Sequence, residues 1–220
     1  MKKTAPLPIV GVIFSRADLQ RALRMRQPPS LFEIRLDRFV NSIEEVSAAL
    51  NQLPARFIIT ARDPREGGAN NLSLRRRRAL LLQFLPRAAF VDVELRSVRA
   101  LAPVLRSARA HGIPMVISFH DLKTTPSAAR LDEIVDRAQS LSAPFIKVAT
   151  RTDTPTELAR LLDFSERHRL TANIIPMGMG KLGRKSRLQL AKLGWITYVH
   201  LGSPSAPGQL SLRDLRRALR

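Results

Sequence analysis

The chain has no cysteine, one tryptophan and one tyrosine among its 220 residues, and its 18 acidic residues face 37 basic ones for a net charge of +19. Without cysteine, disulfides and thiolate metal sites are excluded, a composition that suits a cytoplasmic protein. So few aromatics leave little to stack the bases of a single strand. No helix-turn-helix, zinc-finger or RNA-recognition motif is present, so nucleic acid is not the expected partner despite the charge. No apolar run is long enough to span a bilayer, and no membrane association is expected. Met1-Lys2-Lys3-Thr4-Ala5-Pro6 begins like a signal peptide, but prolines interrupt the start of the apolar stretch and Arg16 and Asp18 end it. It reads as a first strand and not as a secretory segment.

The basic excess is mostly arginine, 30 of the 37. Arg75 to Arg78 stand together, and Arg213, Arg216, Arg217 and Arg220 crowd the C-terminus. The run at Arg75 reads as a solvated helix face. The overall excess should attract anionic small molecules.

Short β-rich runs alternate with longer amphipathic segments. Strands are predicted at Ile9–Phe14, Leu31–Arg35, Arg56–Thr60, Phe90–Glu94, Met115–Phe119, Phe145–Ala149, Ala172–Pro176 and Ile196–Leu201. Helices are predicted at Glu44–Leu53, Leu74–Phe84, Val98–His111, Ala128–Leu141 and Thr156–His168. His111-Gly112-Ile113-Pro114 closes one helix. Thr154-Pro155-Thr156-Glu157 opens another with a capping box. Eight strands with helices between them predict an α/β protein, a (β/α)8 TIM barrel, as one domain over residues 1–220. A doubly wound sheet is the alternative.

A (β/α)8 barrel keeps its active site at the C-terminal ends of its strands. Ionisable residues gather there: Glu33 and Arg35 late in the second strand, Arg62 and Glu66 after the third, Asp92 and Glu94 in the fourth. His120 ends the fifth and Lys147 lies in the sixth. Met177 ends the seventh, and Ser205 to Gln209 follow the eighth. Lys147 is the most informative. In Pro144-Phe145-Ile146-Lys147-Val148-Ala149 a lysine must carry its ammonium into low dielectric or lose its proton, and a neutral amine can form a Schiff base with a ketone. The plainer alternative is an edge-strand lysine whose stem reaches to water.

Three histidines have ordinary explanations. His111 precedes a helix-ending glycine, His168 lies between Arg167 and Arg169 and reads as solvated, and His200 alternates with Tyr198 in the last strand. His120 leaves an apolar strand and can move protons near neutral pH. An iminium-forming lysine with a proton-carrying histidine supports proton abstraction beside a ketone, and a carboxylate such as Glu66 could fix the imidazole tautomer. Arg62 and Arg187 are candidates for fork-like binding of a carboxylate. Met177 and Met179 suit an apolar wall over a ring, or plain core. Gly178-Met179-Gly180-Lys181-Leu182-Gly183 fits G-x-G-x-x-G, but no acid follows about 20 residues on, so no dinucleotide site is expected.

These segments resemble the type I 3-dehydroquinate dehydratases. Phe32-Glu33-Ile34-Arg35-Leu36-Asp37 resembles that family's E-x-R-x-D segment, and Arg62 with Glu66-Gly67-Gly68 its R-x-x-x-E-G-G. Asp92-Val93-Glu94-Leu95 resembles its D-[IV]-E-L strand. Ser118-Phe119-His120-Asp121 carries its histidine and Lys147 stands at its lysine. Met177 to Gly183 with Ser186-Arg187 resembles M-x-M-x-x-x-G-x-x-S-R, and Ser205-Ala206-Pro207-Gly208-Gln209 its S-A-P-G-Q lid. Gly11 stands near where some members place a polar substrate contact, so nothing is carried over there.

The resemblance implies a (β/α)8 barrel that dehydrates 3-dehydroquinate to 3-dehydroshikimate with no metal and no organic cofactor. Lys147 would form the imine, His120 would move the protons of a syn elimination, and Glu66 would orient His120. Arg187 would hold the substrate carboxylate, and Glu33, Arg35 and Arg62 would contact ring hydroxyls. Ser205 and Gln209 would close over the substrate, and a homodimer is expected. The rival readings are a class I aldolase acting on a phosphorylated sugar, which would want a phosphate site after strands seven and eight, and a basic nucleic-acid-associated barrel.

Overall fold

A computed structural model describes residues 9–220. The segment Met1–Pro6 lies outside the described residues. Eight strands form one parallel sheet: β1 Ile9–Ile13, β2 Leu31–Arg35, β3 Phe57–Thr60, β4 Phe90–Glu94, β5 Met115–Asp121, β6 Phe145–Arg151, β7 Ile174–Met179 and β8 Thr197–His200. The order β7-β6-β5-β4-β3-β2-β1-β8 bends the sheet into a nearly closed barrel. Among the described residues no ladder joins β7 to β8. Eight helices follow the strands in turn: α1 Arg16–Leu23, α2 Ile43–Ala49, α3 Leu74–Phe84, α4 Ala102–Ala110, α5 Ala128–Gln139, α6 Pro155–Arg167, α7 Gly183–Lys192 and α8 Leu212–Ala218.

Strand side chains alternate between the barrel lumen and the helix layer. The outward set (Ile13, Phe32, Ile34, Ile59, Val91, Val93, Ile117, Ile146, Val148) packs against Leu19, Leu80, Phe84, Leu131 and Phe164 of the helices. Each such side chain contributes about 1.5–3 kcal/mol by leaving water. The inward set changes character along each strand. Its first members, Val10, Ile58, Val116 and Ile175 with Phe90 and Phe145 beside them, form a separate apolar cluster. Two and four residues on stand Glu33 and Arg35, Thr60 and Arg62, Asp92 and Glu94, Ser118 and His120, and Lys147. Period-two geometry therefore stacks a charged layer on an apolar one.

Local signals explain the ends of the helices. Thr154 and Glu157 form the expected capping box at α6. Gly112 takes a positive φ of 64° after α4, which glycine adopts without steric penalty. α4 starts at Ala102, later than predicted, because residues 98–101 form a turn and Pro103 sits in the first helical turn, where its missing N–H costs nothing. β5 and β6 both run two residues further than predicted, and β7 lies over Ile174–Met179 instead of Ala172–Pro176. His120 thus lies inside β5, where it pairs with Ala149, and does not leave the strand.

The arginine run corrects the sequence reading. Arg75, Arg76 and Arg78 are exposed, but Arg77 is 2% exposed. Arg77 shares the inner face of α3 with Leu80, Leu81 and Phe84. Its guanidinium donates to the Ala61 carbonyl at 2.8 Å and to Asp63 at 2.9 Å, and also binds Glu94. His168 is not solvated either: Nε2 meets Asp132 at 2.8 Å and the ring lies against Phe164.

Candidate active site

β6 lies between β5 and β7, so Lys147 is an interior residue and not an edge one. It is 3% exposed. Its Nζ donates to Glu33 Oε1 at 3.0 Å and Asp92 Oδ2 at 3.4 Å. The apolar flanks of Lys147 in sequence are the outward residues of β6, and the amine itself meets carboxylates supplied by β2 and β4. The face of Tyr198 from β8 closes the remaining side, 4.1 Å from Nζ to the ring centroid.

Arg62 organises the floor of the site. It holds Asp92 with two hydrogen bonds of 3.0 Å and reaches Glu94 at 3.1 Å and Ser118 at 2.7 Å. Burial opposes its charge, but Asp92, Glu94 and Glu33 outweigh that and hold its pKa well above the usual value. Burial likewise raises Asp92, but Arg62 and Lys147 overcome it and keep the carboxyl below the ordinary range. The Arg62 fork, read from sequence as a candidate for a substrate carboxylate, is therefore already engaged by Asp92. Breaking one partner of such a buried pair costs about 3–5 kcal/mol.

Glu66 and His120 form a second pair. Glu66 Oε2 accepts from the His120 backbone N–H at 3.0 Å and from Nδ1 at 2.9 Å. One oxygen receiving both bonds places the proton on Nδ1 and leaves Nε2 as an acceptor when Glu66 is ionised. Burial lowers the His120 pKa, and the charges of Arg62 and Lys147 push it well below the usual histidine value, so the imidazole is neutral. Burial raises Glu66 to about 7, against Arg62 and Arg96, which pull it down.

Arg187 differs from the other buried arginines. It projects from α7 across the open seam, where Nε donates to the Gly178 carbonyl of β7 at 2.9 Å and Nη1 to the Tyr198 carbonyl of β8 at 3.2 Å. It is 3% exposed and burial lowers its pKa to about 10, with no carboxylate among the described residues to offset the loss of water.

Arg35 lies at the rim, held by Asp37 at 2.9 and 2.8 Å. The loop after β8 is braced by Gln209, whose Oε1 accepts from the Ser205 N–H at 2.7 Å and hydroxyl at 2.9 Å. Gly208 has φ +81°, and a Cβ there would meet the Arg184 nitrogen at 2.7 Å, so the loop can lie this close to α7 only with glycine.

Of the residues singled out from sequence, eleven line one cavity of about 230 Å³, Glu33, Arg35, Arg62, Glu66, His120, Lys147, Met177, Met179, Arg187, Ser205 and Gln209, whereas Asp92 and Glu94 do not reach its wall and bind Arg62 instead. Val12, Leu122, Ala149 and Tyr198 line it too. Sequence reasoning gave Tyr198 no part in the site, although its inward parity in β8, two residues before His200, could have placed it in the lumen. Gly11 faces away from the cavity toward Pro29 and Leu201. In the glycine-rich segment Gly178 is packed against Ser186, where a Cβ would meet the hydroxyl at 2.2 Å.

A lysine seated among carboxylates at the C-terminal mouth of a barrel, with a neutral histidine and an uncompensated arginine in the same cavity, belongs to a lysine-centred (β/α)8 enzyme. The chain belongs to the type I 3-dehydroquinase family, whose model matches residues 12–220. The 3-dehydroquinate dehydratase of Thermococcus gammatolerans is 34% identical over 213 residues, 96% of this chain and 97% of that one. That of Thermodesulfovibrio yellowstonii is 31% identical over 217 residues, 95% and 93% of the two chains. A crystal structure of the type I enzyme from Clostridium difficile with covalently modified comenic acid superposes with a TM-score of 0.83 at 25% identity, over 96% of this chain and 90% of that one. Membership carries the activity of the family, 3-dehydroquinate dehydratase, a hydro-lyase.

Proposed function

We propose that the cavity performs the dehydration through a Schiff base on Lys147, with His120 as the general acid and base. The observation that carries this reading is the shared cavity of Lys147, the His120–Glu66 pair and Arg187. Arg187, buried without a counter-charge, receives the substrate carboxylate and places the ring ketone over Lys147. Nucleophilic attack needs the neutral amine, and Glu33 at 3.0 Å is the nearest acceptor for its proton. Nitrogen adds to the carbonyl carbon, the carbonyl oxygen takes one proton from that nitrogen and the one held by Glu33 and leaves as water, and a protonated imine remains. The imine withdraws electrons from the adjacent carbon. His120 Nε2 takes a proton there and returns it to the departing hydroxyl, so a second water leaves and the ring gains a double bond. Hydrolysis of the imine then frees the product and Lys147. The Tyr198 face and the Asp92 carboxylate suit the cationic imine.

Glu66 fixes the imidazole by accepting from Nδ1 and balances the charge that His120 gains. Arg35 and Glu33 meet ring hydroxyls, Arg62 anchors Glu33 and Asp92 in place, and Met177 and Met179 supply the apolar wall. The loop of Ser205 and Gln209 closes the cavity. The covalently modified comenic acid of the Clostridium difficile structure is in keeping with covalent chemistry at such a site. The test is turnover of 3-dehydroquinate followed by the enone absorbance of the product. Lys147→Ala should lose essentially all of it, and near-normal turnover in that variant would overturn the mechanism.

A further inference from the structure

The chemistry leaves unused the arginines that crowd α8. They line a second cavity of about 780 Å³ between the end of α1, the end of β8 and α8. Arg213, Arg216, Arg217 and Arg220 stand on its wall with one side-chain carboxylate among the described residues, Asp214, which already faces Arg184 at 3.7 Å. Arg216 donates to the Gln27 and Pro28 carbonyls, which fix it without neutralising it. Arg213 and Arg217 are four residues apart on α8, which brings like charges together, and Arg220 lies just beyond the end of that helix. Such a pair weakens a helix, and α8 has only seven residues. The volume is that of a small-molecule site, and guanidinium forks match phosphate oxygens.

The cavity also touches both roots of the loop that carries Ser205 and Gln209. His200 and Ser211 line it and are joined by a parallel bridge, with the His200 N–H donating to the Leu210 carbonyl at 3.0 Å. His200 Nδ1 is shielded from solvent and has no hydrogen-bond partner among the described residues. We propose that this cavity binds a small phosphate-bearing anion through the α8 arginines, and that its occupation braces the 201–210 loop from outside the active site. The second half rests on the reading of that loop as the closure of the substrate cavity.

The test is thermal denaturation of the full chain against inorganic pyrophosphate, with sodium chloride adjusted to hold ionic strength constant. Wild type should show a saturable rise in Tm. Arg213→Glu/Arg217→Glu should need at least tenfold more pyrophosphate for the same rise, and so should the milder Arg213→Gln/Arg217→Gln. Arg75→Glu/Arg78→Glu, the same charge change on α3, should behave as wild type. No rise in wild type, or an equal rise in all variants, would overturn the site, since it would mean no binding, diffuse attraction or binding at Arg187. Pyrophosphate should also slow amide exchange across 201–210 in wild type, and unchanged exchange there would overturn the bracing. Neither readout depends on turnover, so failure here is distinct from failure of the Lys147 mechanism.

Discussion

The two ends of the barrel lumen are built on the same eight strands and obey opposite rules. The N-terminal end is closed by Val10, Ile58, Val116, Ile175 and the edge-to-face pair Phe90–Phe145, with centroids 5.7 Å apart. Among the described residues no charge is buried in that layer. One or two side-chain layers higher, Glu33, Arg62, Asp92, Glu94 and Lys147 are each nearly inaccessible to water and satisfied by one another. The apolar end contributes burial and needs only shape. The charged end is tolerated because it is closed as a network, and any opening in it leaves a charge without a partner. Function lives at the end that is harder to build.

That contrast can be broken in four places. The largest expected effect is on chemistry: His120→Ala should lower kcat by about 10²–10⁴ while the imine still forms, and a loss of imine formation would reassign His120. Next is the network. Arg62→Leu removes the partner of Asp92 and Glu94 and should cost about 3–5 kcal/mol in a urea melt, and a loss under about 1 kcal/mol would show that the network is not closed as described.

Glu66→Gln should separate stability from activity. Burial raises its folded pKa to about 7 from the usual 4.5. The protonated carboxyl is thus the form the fold prefers, so stability from this group is intact below pH 4.5 and is lost as pH rises to 7. Removing the group should leave stability unchanged at pH 4 and raise it by up to about 3 kcal/mol at pH 8. The same variant should turn over more slowly and lose the acid limb of the wild-type pH profile, which falls below about pH 7 as Glu66 takes a proton. An unchanged limb would remove Glu66 from that role. The smallest effect belongs to the apolar end: Phe90→Leu should cost about 1 kcal/mol and leave kcat unchanged.

The sequence made the barrel legible because eight short β-rich runs recur with amphipathic segments between them, although only five of the eight helices, α2 to α6, could be bounded from sequence. The ends of β5 and β6 were not legible. Asp121, Thr150 and Arg151 look like loop residues, yet Asp121 pairs with Thr150 across two strands, and such pairing is not local information. Arg77 was recoverable: its spacing to Leu80, Leu81 and Phe84 follows one helix face, and reading the four arginines as a block hid it. The residues of the cavity could be singled out from sequence, but their partners could not. That the Arg62 fork is taken by Asp92 while the Arg187 charge goes uncompensated depends on which strands and helices meet at the mouth.

The most direct test of the Schiff-base account is borohydride reduction of the enzyme during turnover of 3-dehydroquinate, followed by peptide mass mapping. A single reduced adduct on Lys147, with matching loss of activity, is the expected result. An adduct confined to a surface lysine such as Lys123 or Lys181, or full turnover with no adduct at all, would contradict it.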